Sequence, residues 1–424
     1  MRRGITATAL AATLALAATA CGSDSDAGSD KSSGGELSGT VTWWDTSTVG
    51  SEDKVFKQLA EDFEKKHPKV DVTYVNVPFG DAQNKFKNAA QSGSGAPDVI
   101  RSEVAWTPEF ADLGYLAPLD GTPALKDEKD FLAQAAASTK YNGKTYAAPQ
   151  VIDSMGIFYN KKIFKDAGVE VPTTVAELKT VSKTIKDKTG KTGLYLRGDD
   201  AYWFLSFLYG EGGDMVDAKN KTVTVDNPAG VKAMTVVKDL VDSGAAKTDA
   251  TDGWENMQSA FKDGDVAMII NGPWAVTDTY GGAQFKDKAN LGVAPVPAGS
   301  VAQGAPQGGH NLAVYAGSKN LDASYAFTEY MTSAESQAKV AKELSLLPTR
   351  TSVYSQPGVA DNEIVGFFKP VVDKAVERPW IPETGSLFAP LVTEYTKVLT
   401  GQSTPDKGAK ATGDSYRKLL KGWK

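Results

Sequence analysis

Apolar and polar positions along this chain alternate between two periods. Thr40 to Trp44 reads as a strand, and from Asp53 to Lys66 the residues Val55, Phe56, Leu59 and Phe63 share one helical face before His67-Pro68 ends it. Val70, Val72, Tyr74 and Val77 give a partly alternating strand. A helix over Asp81 to Gln91, the turn Gly93-Ser94-Gly95 and a short buried strand at Asp98 to Ile100 follow. This β-α-β-α-β order predicts an α/β fold with a mostly parallel sheet and helices on both faces.

A second series begins after Tyr146-Ala147-Ala148-Pro149. Gly156 to Tyr159 is strand-like, and Val175 to Lys188 is a helix whose start, Thr174-Val175-Ala176-Glu177, has the capping-box spacing. Pro228, suited to a first helical turn, opens a helix to Val241. Val266 to Ile270 and Leu312 to Tyr315 read as strands. Amphipathic helices dominate the remainder, among them Ala323 to Met331, Ser336 to Leu344 and Asp406 to Leu420.

The chain has one cysteine. Met1-Arg2-Arg3-Gly4-Ile5 leads into an Ala/Leu/Thr run from Thr6 to Thr19, too short to span a bilayer, so residues 1–20 read as a signal peptide. Arg2-Arg3 leaves Sec and twin-arginine export both open. Ala18-Thr19-Ala20-Cys21 resembles the lipobox of bacterial lipoproteins, with Ala18 in place of the usual leucine. That resemblance implies cleavage before Cys21 and acylation of its thiol. Two or three acyl chains, at roughly 0.8 kcal/mol per buried methylene, would fix the protein to a membrane surface. Residues 21–39, almost all Gly, Ser, Asp and Lys after the cysteine, read as a flexible tether.

Of the 424 residues, 41% are hydrophobic and the formal net charge is −6, with no basic arm to attract nucleic acid. The length beyond the tether is too great for one core and suits two. A single cysteine excludes an internal disulfide. Two histidines, His67 and His310, leave no transition-metal spacing, and neither metal nor cofactor is expected. Gly143-Lys144-Thr145 and Gly190-Lys191-Thr192 are not phosphate loops, because Ser138 and Ile185 stand where the first glycine is needed. No Gly-x-Ser-x-Gly elbow, His-Glu-x-x-His helix or calcium loop occurs. Glycosidases stay open, since two carboxylates distant in sequence suffice.

Eight tryptophans and fifteen tyrosines are the second informative feature. Trp43-Trp44-Asp45 ends a strand, Trp274 follows the rigid Asn271-Gly272-Pro273, and Tyr202-Trp203 follows Asp199-Asp200. Trp254 and Trp380 have similar loop-like settings. Aromatic faces pack on the C–H faces of a pyranose, while carboxylates and arginine take its hydroxyl pairs. Aromatics beside acids therefore suit a neutral sugar, although each ring taken alone is equally suited to ordinary packing.

Several markers occur together in order: Thr42-Trp43-Trp44, Gly95-Ala96-Pro97-Asp98-Val99, Leu116-Ala117-Pro118-Leu119-Asp120, Tyr141 to Pro149, Phe158-Tyr159-Asn160-Lys161, Phe261 to Met268, Asn271-Gly272-Pro273-Trp274 and Gly308-Gly309. With them the chain resembles, from about Thr40 to Trp423, the extracellular solute-binding proteins of ABC importers, in the maltose-binding-protein-like family. The resemblance implies a two-lobe periplasmic-binding-protein-like fold of type II with a hinged cleft. Its first lobe is expected over 40–150 plus 313–356 and its second over 153–310 plus 366–424. Crossings are expected near Val151 to Ser154, Gly309 to Ala313 and Pro357 to Gly366.

On this resemblance Trp274 is the expected stacking platform, with Tyr202 a second aromatic, and Asp153, Glu103 and Arg378 match hydroxyl-binding positions. Trp44, Asp45, Trp254, Gly309 and His310 complete the candidate ligand-binding set; His310 stands where many relatives have tryptophan. The implied function is capture of an α-glucoside such as maltose or maltodextrin by a monomer, anchored through Cys21 on the outer face of the cell membrane, and delivery to an ABC permease. Trehalose or cellobiose are alternative ligands, and a surface glycosidase using Glu103 and Asp153 is the rival activity.

Overall fold

In the computed structural model, which describes residues 36–424, the apolar runs become the inner strands of two sheets. The six-stranded sheet has the spatial order Leu347–Pro348, Ala147–Asp153, Gly308–Val314, Val99–Glu103, Gly39–Asp45, Val70–Asn76. The five-stranded sheet runs Ala246–Lys247, Thr192–Tyr195, Val266–Asn271, Gly156–Asn160, Leu291–Pro295. Both belong to one packed unit, Leu37–Lys424. Cys21, the signal peptide and most of the tether lie outside the described residues.

Val55, Phe56, Leu59 and Phe63 are buried on the helix Asp53–Lys66, as their spacing requires. Fully burying each such side chain stabilises the fold by about 1.5–3 kcal/mol. Helices cover both faces of the first sheet. Trp43 therefore packs in the cluster with Phe56, Phe63 and Phe327, and Trp44 on the opposite face with Val77, Phe86 and Trp106.

Helix starts follow local chemistry. Thr174 Oγ1 accepts from the Glu177 amide at 3.2 Å, as the capping box predicts, but Glu177 reaches back one residue further, to the amide and hydroxyl of Thr173. Asn227 caps Pro228–Asp242 by accepting from the Gly230 amide at 3.0 Å.

The sheets are mixed, in contrast to the expected mostly parallel arrangement. Gly39–Asp45 runs parallel to its neighbours Val70–Asn76 and Val99–Glu103, but Gly308–Val314 is antiparallel to Val99–Glu103 and to Ala147–Asp153. Gly156–Asn160 likewise opposes both of its neighbours. Each reversed strand enters directly from the other sheet instead of through a helical crossover, so it arrives at the opposite end. The chain changes sheet between Asp153 and Gly156 and returns between Pro295 and Gly308. Gly308–Val314 belongs wholly to the first sheet, so the passage expected at Gly309 to Ala313 moves upstream to residues 296–307. After Leu347–Pro348 the chain reaches the helix Glu363–Val372, which packs against strands of both sheets. The helices Phe79–Ser92 and Thr384–Leu399 approach so closely that a Cβ on Gly385 would fall 2.5 Å from Gln83 Nε2.

Candidate functional site

The register brings one end of each sheet to the same place. Gly308 pairs with Asp153 and His310 with Glu103, while Asp45 ends the strand parallel to Val99–Glu103. In the second sheet Tyr195, Lys247 and Asn271 end parallel strands, and Tyr202, Trp254 and Trp274 lie just beyond them. Carboxyl ends of strands in open α/β sheets are where such folds bind ligands.

On the first sheet's edge, Glu103 is held from two sides. Arg378 Nη2 donates to its Oε1, and the Ala105 amide donates to Oε2 at 2.9 Å. Arg378 is itself buried and also donates through Nε to the Gln307 carbonyl at 2.9 Å. Its guanidinium carbon lies 5.4 Å from the centre of the Tyr202 ring. Asp153 is 7% exposed, and burial, helped by the charge of Glu103, pushes its pKa up to about 7 against the pull of Arg378 and Arg101. Asp153 and the Tyr202 hydroxyl converge on Gly308, where any Cβ would collide with both.

Tyr202 and Trp274 form the aromatic edge, with ring centres 6.4 Å apart and planes at 57°. The indole folds over Gly272, where a Cβ would collide with it. Tyr202 also donates to the Pro306 carbonyl at 3.3 Å. Trp203, behind Tyr202, donates to the Ile270 carbonyl at 2.6 Å. Trp254 stands one ring further along, 6.2 Å from Trp203, with Arg197 lying over both indoles.

Four further candidates, Trp44, Asp45, Gly309 and His310, are enclosed by neighbouring structure. Trp44 is 6% exposed and packs in the core, with Lys85 over its ring at 4.7 Å, because the strand that carries it is covered on both faces. Asp45 is fully buried and already accepts from the Ser47 amide, the Ser47 hydroxyl and Tyr74, so it holds the wall from behind. Gly309 serves the backbone: its φ is 132°, a Cβ would strike the Val151 carbonyl, and a bulge follows at His310/Asn311. His310 has both ring nitrogens shielded and without a hydrogen-bond partner, and burial lowers its pKa well below the ordinary value, so it stays neutral.

Sequence reasoning missed Arg101, Gln150, Glu52 and Phe79. Arg101 donates to Gln150 Oε1 at 2.9 Å and lies 3.9 Å from Asp45, forming a buried floor with Glu52 nearby. Phe79, half exposed, stacks on Trp106 at 5.3 Å and meets His310 edge-on at 6.0 Å. Its signal was present: an aromatic wedged between Pro78 and Gly80 at a helix start has no core to enter. Among the described residues no group of His, Cys, Asp or Glu is placed to hold a metal ion, and no helix is long and apolar enough to cross a membrane.

Two α/β lobes joined by repeated passages, with acids and aromatics meeting where the strands end, define a two-lobe binding protein for a polar solute. The chain belongs to the bacterial extracellular solute-binding protein family, whose model matches residues 47–338. It is 68% identical to the GacH receptor of Streptomyces glaucescens, solved without ligand and with acarbose and an acarbose homolog; the match covers 92% of this chain and all of that one, with a TM-score of 0.90. The diacetylchitobiose binding protein DasA of Streptomyces coelicolor is 29% identical over 395 residues, 91% of each chain. A maltotriose-binding protein of Pyrococcus abyssi is 27% identical over 358 residues, 83% of this chain and 75% of that one.

Proposed function

We propose that this protein captures an α-linked gluco-oligosaccharide of the maltodextrin or acarbose type between its lobes and delivers it to an ABC permease. The carrying observation is the meeting of the Tyr202–Trp274 pair with the Glu103–Arg378 pair and Asp153: ring faces for pyranose C–H surfaces, and fixed acceptors and donors for its hydroxyls. The ligand named for the 68% identical receptor supports the α-glucoside reading. Binding is the whole activity. Glu103, held by Arg378 and the Ala105 amide, is fixed as an acceptor for a sugar hydroxyl. The protein works as a monomer on the outer face of the cell membrane, held by lipid on Cys21.

Isothermal titration with maltotriose, maltotetraose and acarbose, beside trehalose, cellobiose and diacetylchitobiose, tests the reading. Micromolar or tighter binding confined to the α-(1→4) series is expected. Binding of diacetylchitobiose or cellobiose alone would reassign the ligand, and release of glucose from maltotriose would make the protein an enzyme.

A further inference from the structure

Two helices begin beside the Glu103–Arg378 pair. Trp106–Asp112 starts just past Ala105, whose amide donates to Glu103 Oε2 at 2.9 Å. Thr384–Leu399 starts just past the Arg378 segment and is tied to it twice: the Thr384 hydroxyl donates to the Pro379 carbonyl, and the Phe388 ring centre lies 6.0 Å from the Arg378 guanidinium carbon. The two helices have different cores. Phe110 packs in the cluster of Trp44, Phe86 and Ile100, on the first sheet, whereas Leu387, Leu391 and Tyr395 share the cluster of Tyr195 and Ile270, on the second. They nevertheless touch one another, so this is a contact between the lobes.

At that contact the first lobe presents a braced side chain and the second presents none. Gln83 Nε2 donates to Glu109 Oε2 at 2.6 Å, and Lys87 Nζ pairs with Glu109 Oε1 at 2.8 Å, so the amide is held by a charged partner of its own lobe. Opposite stands Gly385. A Cβ there would fall 2.5 Å from Gln83 Nε2, and the three atoms nearest to it all belong to Gln83. Making room means breaking Gln83 from Glu109 or backing the helix away. Glycine is a poorer helix residue than alanine, so the helix itself does not ask for it. Because Thr384 and Phe388 hold the Arg378 segment, a helix that backs away draws Arg378 from Glu103.

We propose that Gly385 is a positioning residue for sugar binding: by carrying no side chain it lets the lobes seat closely enough for Arg378 to stay on Glu103, and it does so without touching the sugar. The inference rests on the sugar-binding reading above and adds a determinant of its affinity. A substitution that disfavours the seated arrangement lowers the apparent affinity by the fraction of that arrangement lost.

The test combines calorimetric titration of the intact protein with maltotriose and acarbose, stopped-flow release of sugar followed by tryptophan fluorescence, and the ligand-free Tm. Gly385→Leu should weaken both sugars about tenfold or more, with faster release, unchanged association and an unchanged Tm. Gly385→Ala should weaken them about threefold, and adding Gln83→Ala should restore the affinity, because the side chain that the new Cβ meets is gone. The alanine pair decides the matter if Gly385→Leu fails to fold. Wild-type affinity in the position-385 variants, no recovery on adding Gln83→Ala, or a loss of affinity matched by a fall in ligand-free Tm would overturn the inference and leave the sugar-binding reading intact. Silence of the wild type with both sugars would remove both.

Discussion

The two sheets meet at their shared edge with opposite chemistry. The six-stranded sheet supplies charges on strand ends, Glu103 and Asp153, with Asp45 and Arg101 behind them. The five-stranded sheet supplies rings carried on short helices just past its strands: Tyr202, Trp274 and Trp254. Hydrogen bonds to hydroxyls demand fixed distances and angles, which a strand paired on both sides provides. Ring stacking tolerates sliding and tilt, so a turn of helix after a loop suffices. Precision sits in one wall and adaptability in the other.

If that division is real, damage to the first wall should show mainly as lost stability and damage to the second mainly as lost affinity. Arg378→Ala leaves the partly buried Glu103 with only the Ala105 amide, and should cost about 1–3 kcal/mol in urea unfolding. Adding Glu103→Gln should recover more than half of that loss; no recovery would mean that Arg378 acts through packing alone. Trp274→Ala should weaken sugar binding about tenfold or more, roughly 1.4 kcal/mol, with the far-ultraviolet spectrum unchanged. Undiminished affinity by calorimetry would move the stacking platform elsewhere.

The smallest effect sharpens the role of Asp153. Its carboxyl titrates near 7 in the fold and near 3.8 when free, so between these values the folded chain holds a proton that the unfolded chain releases. Stability is therefore lost as pH rises from about 4 to about 7 and is not regained above. Asp153→Asn should raise the ligand-free Tm by a few degrees at pH 8 and by much less at pH 4.5. The same gap at both values would show that the carboxyl is solvated after all.

Strands and surface helices were legible in the chain because a half-buried element writes its period into the sequence. Asp53–Lys66, Val175–Thr189 and Pro228–Asp242 match their expected spans to within a residue. Tyr202–Gly210 escaped notice because eight of its nine residues are buried, which erases the amphipathic pattern. Glu363–Val372 and Thr384–Leu399, not among the expected helices, carry Pro370 and Pro390 inside them, residues disfavoured in a helix interior. At the site, Glu103, Asp153, Tyr202, Trp274 and Arg378, all named from the resemblance, lie near one another. Trp44 packs in the core instead, and nothing local says that both faces of its strand are covered. Arg101 was invisible for a similar reason: its partners Thr46 and Gln150 are 55 and 49 residues away.

The passages between the sheets bear on the order of events. Asp153 is the last residue before one passage and Gly308 the first after another, so both sit beside the segments that join the two sheets, whereas Gln83 and Gly385 sit on two helices that meet one another. Rotation displaces each point in proportion to its lever arm. Points beside the joining segments move least when the lobes turn, so a solute reaching Asp153 meets a wall that is already in place. Closure then adds the aromatic wall to a contact already made on the other side.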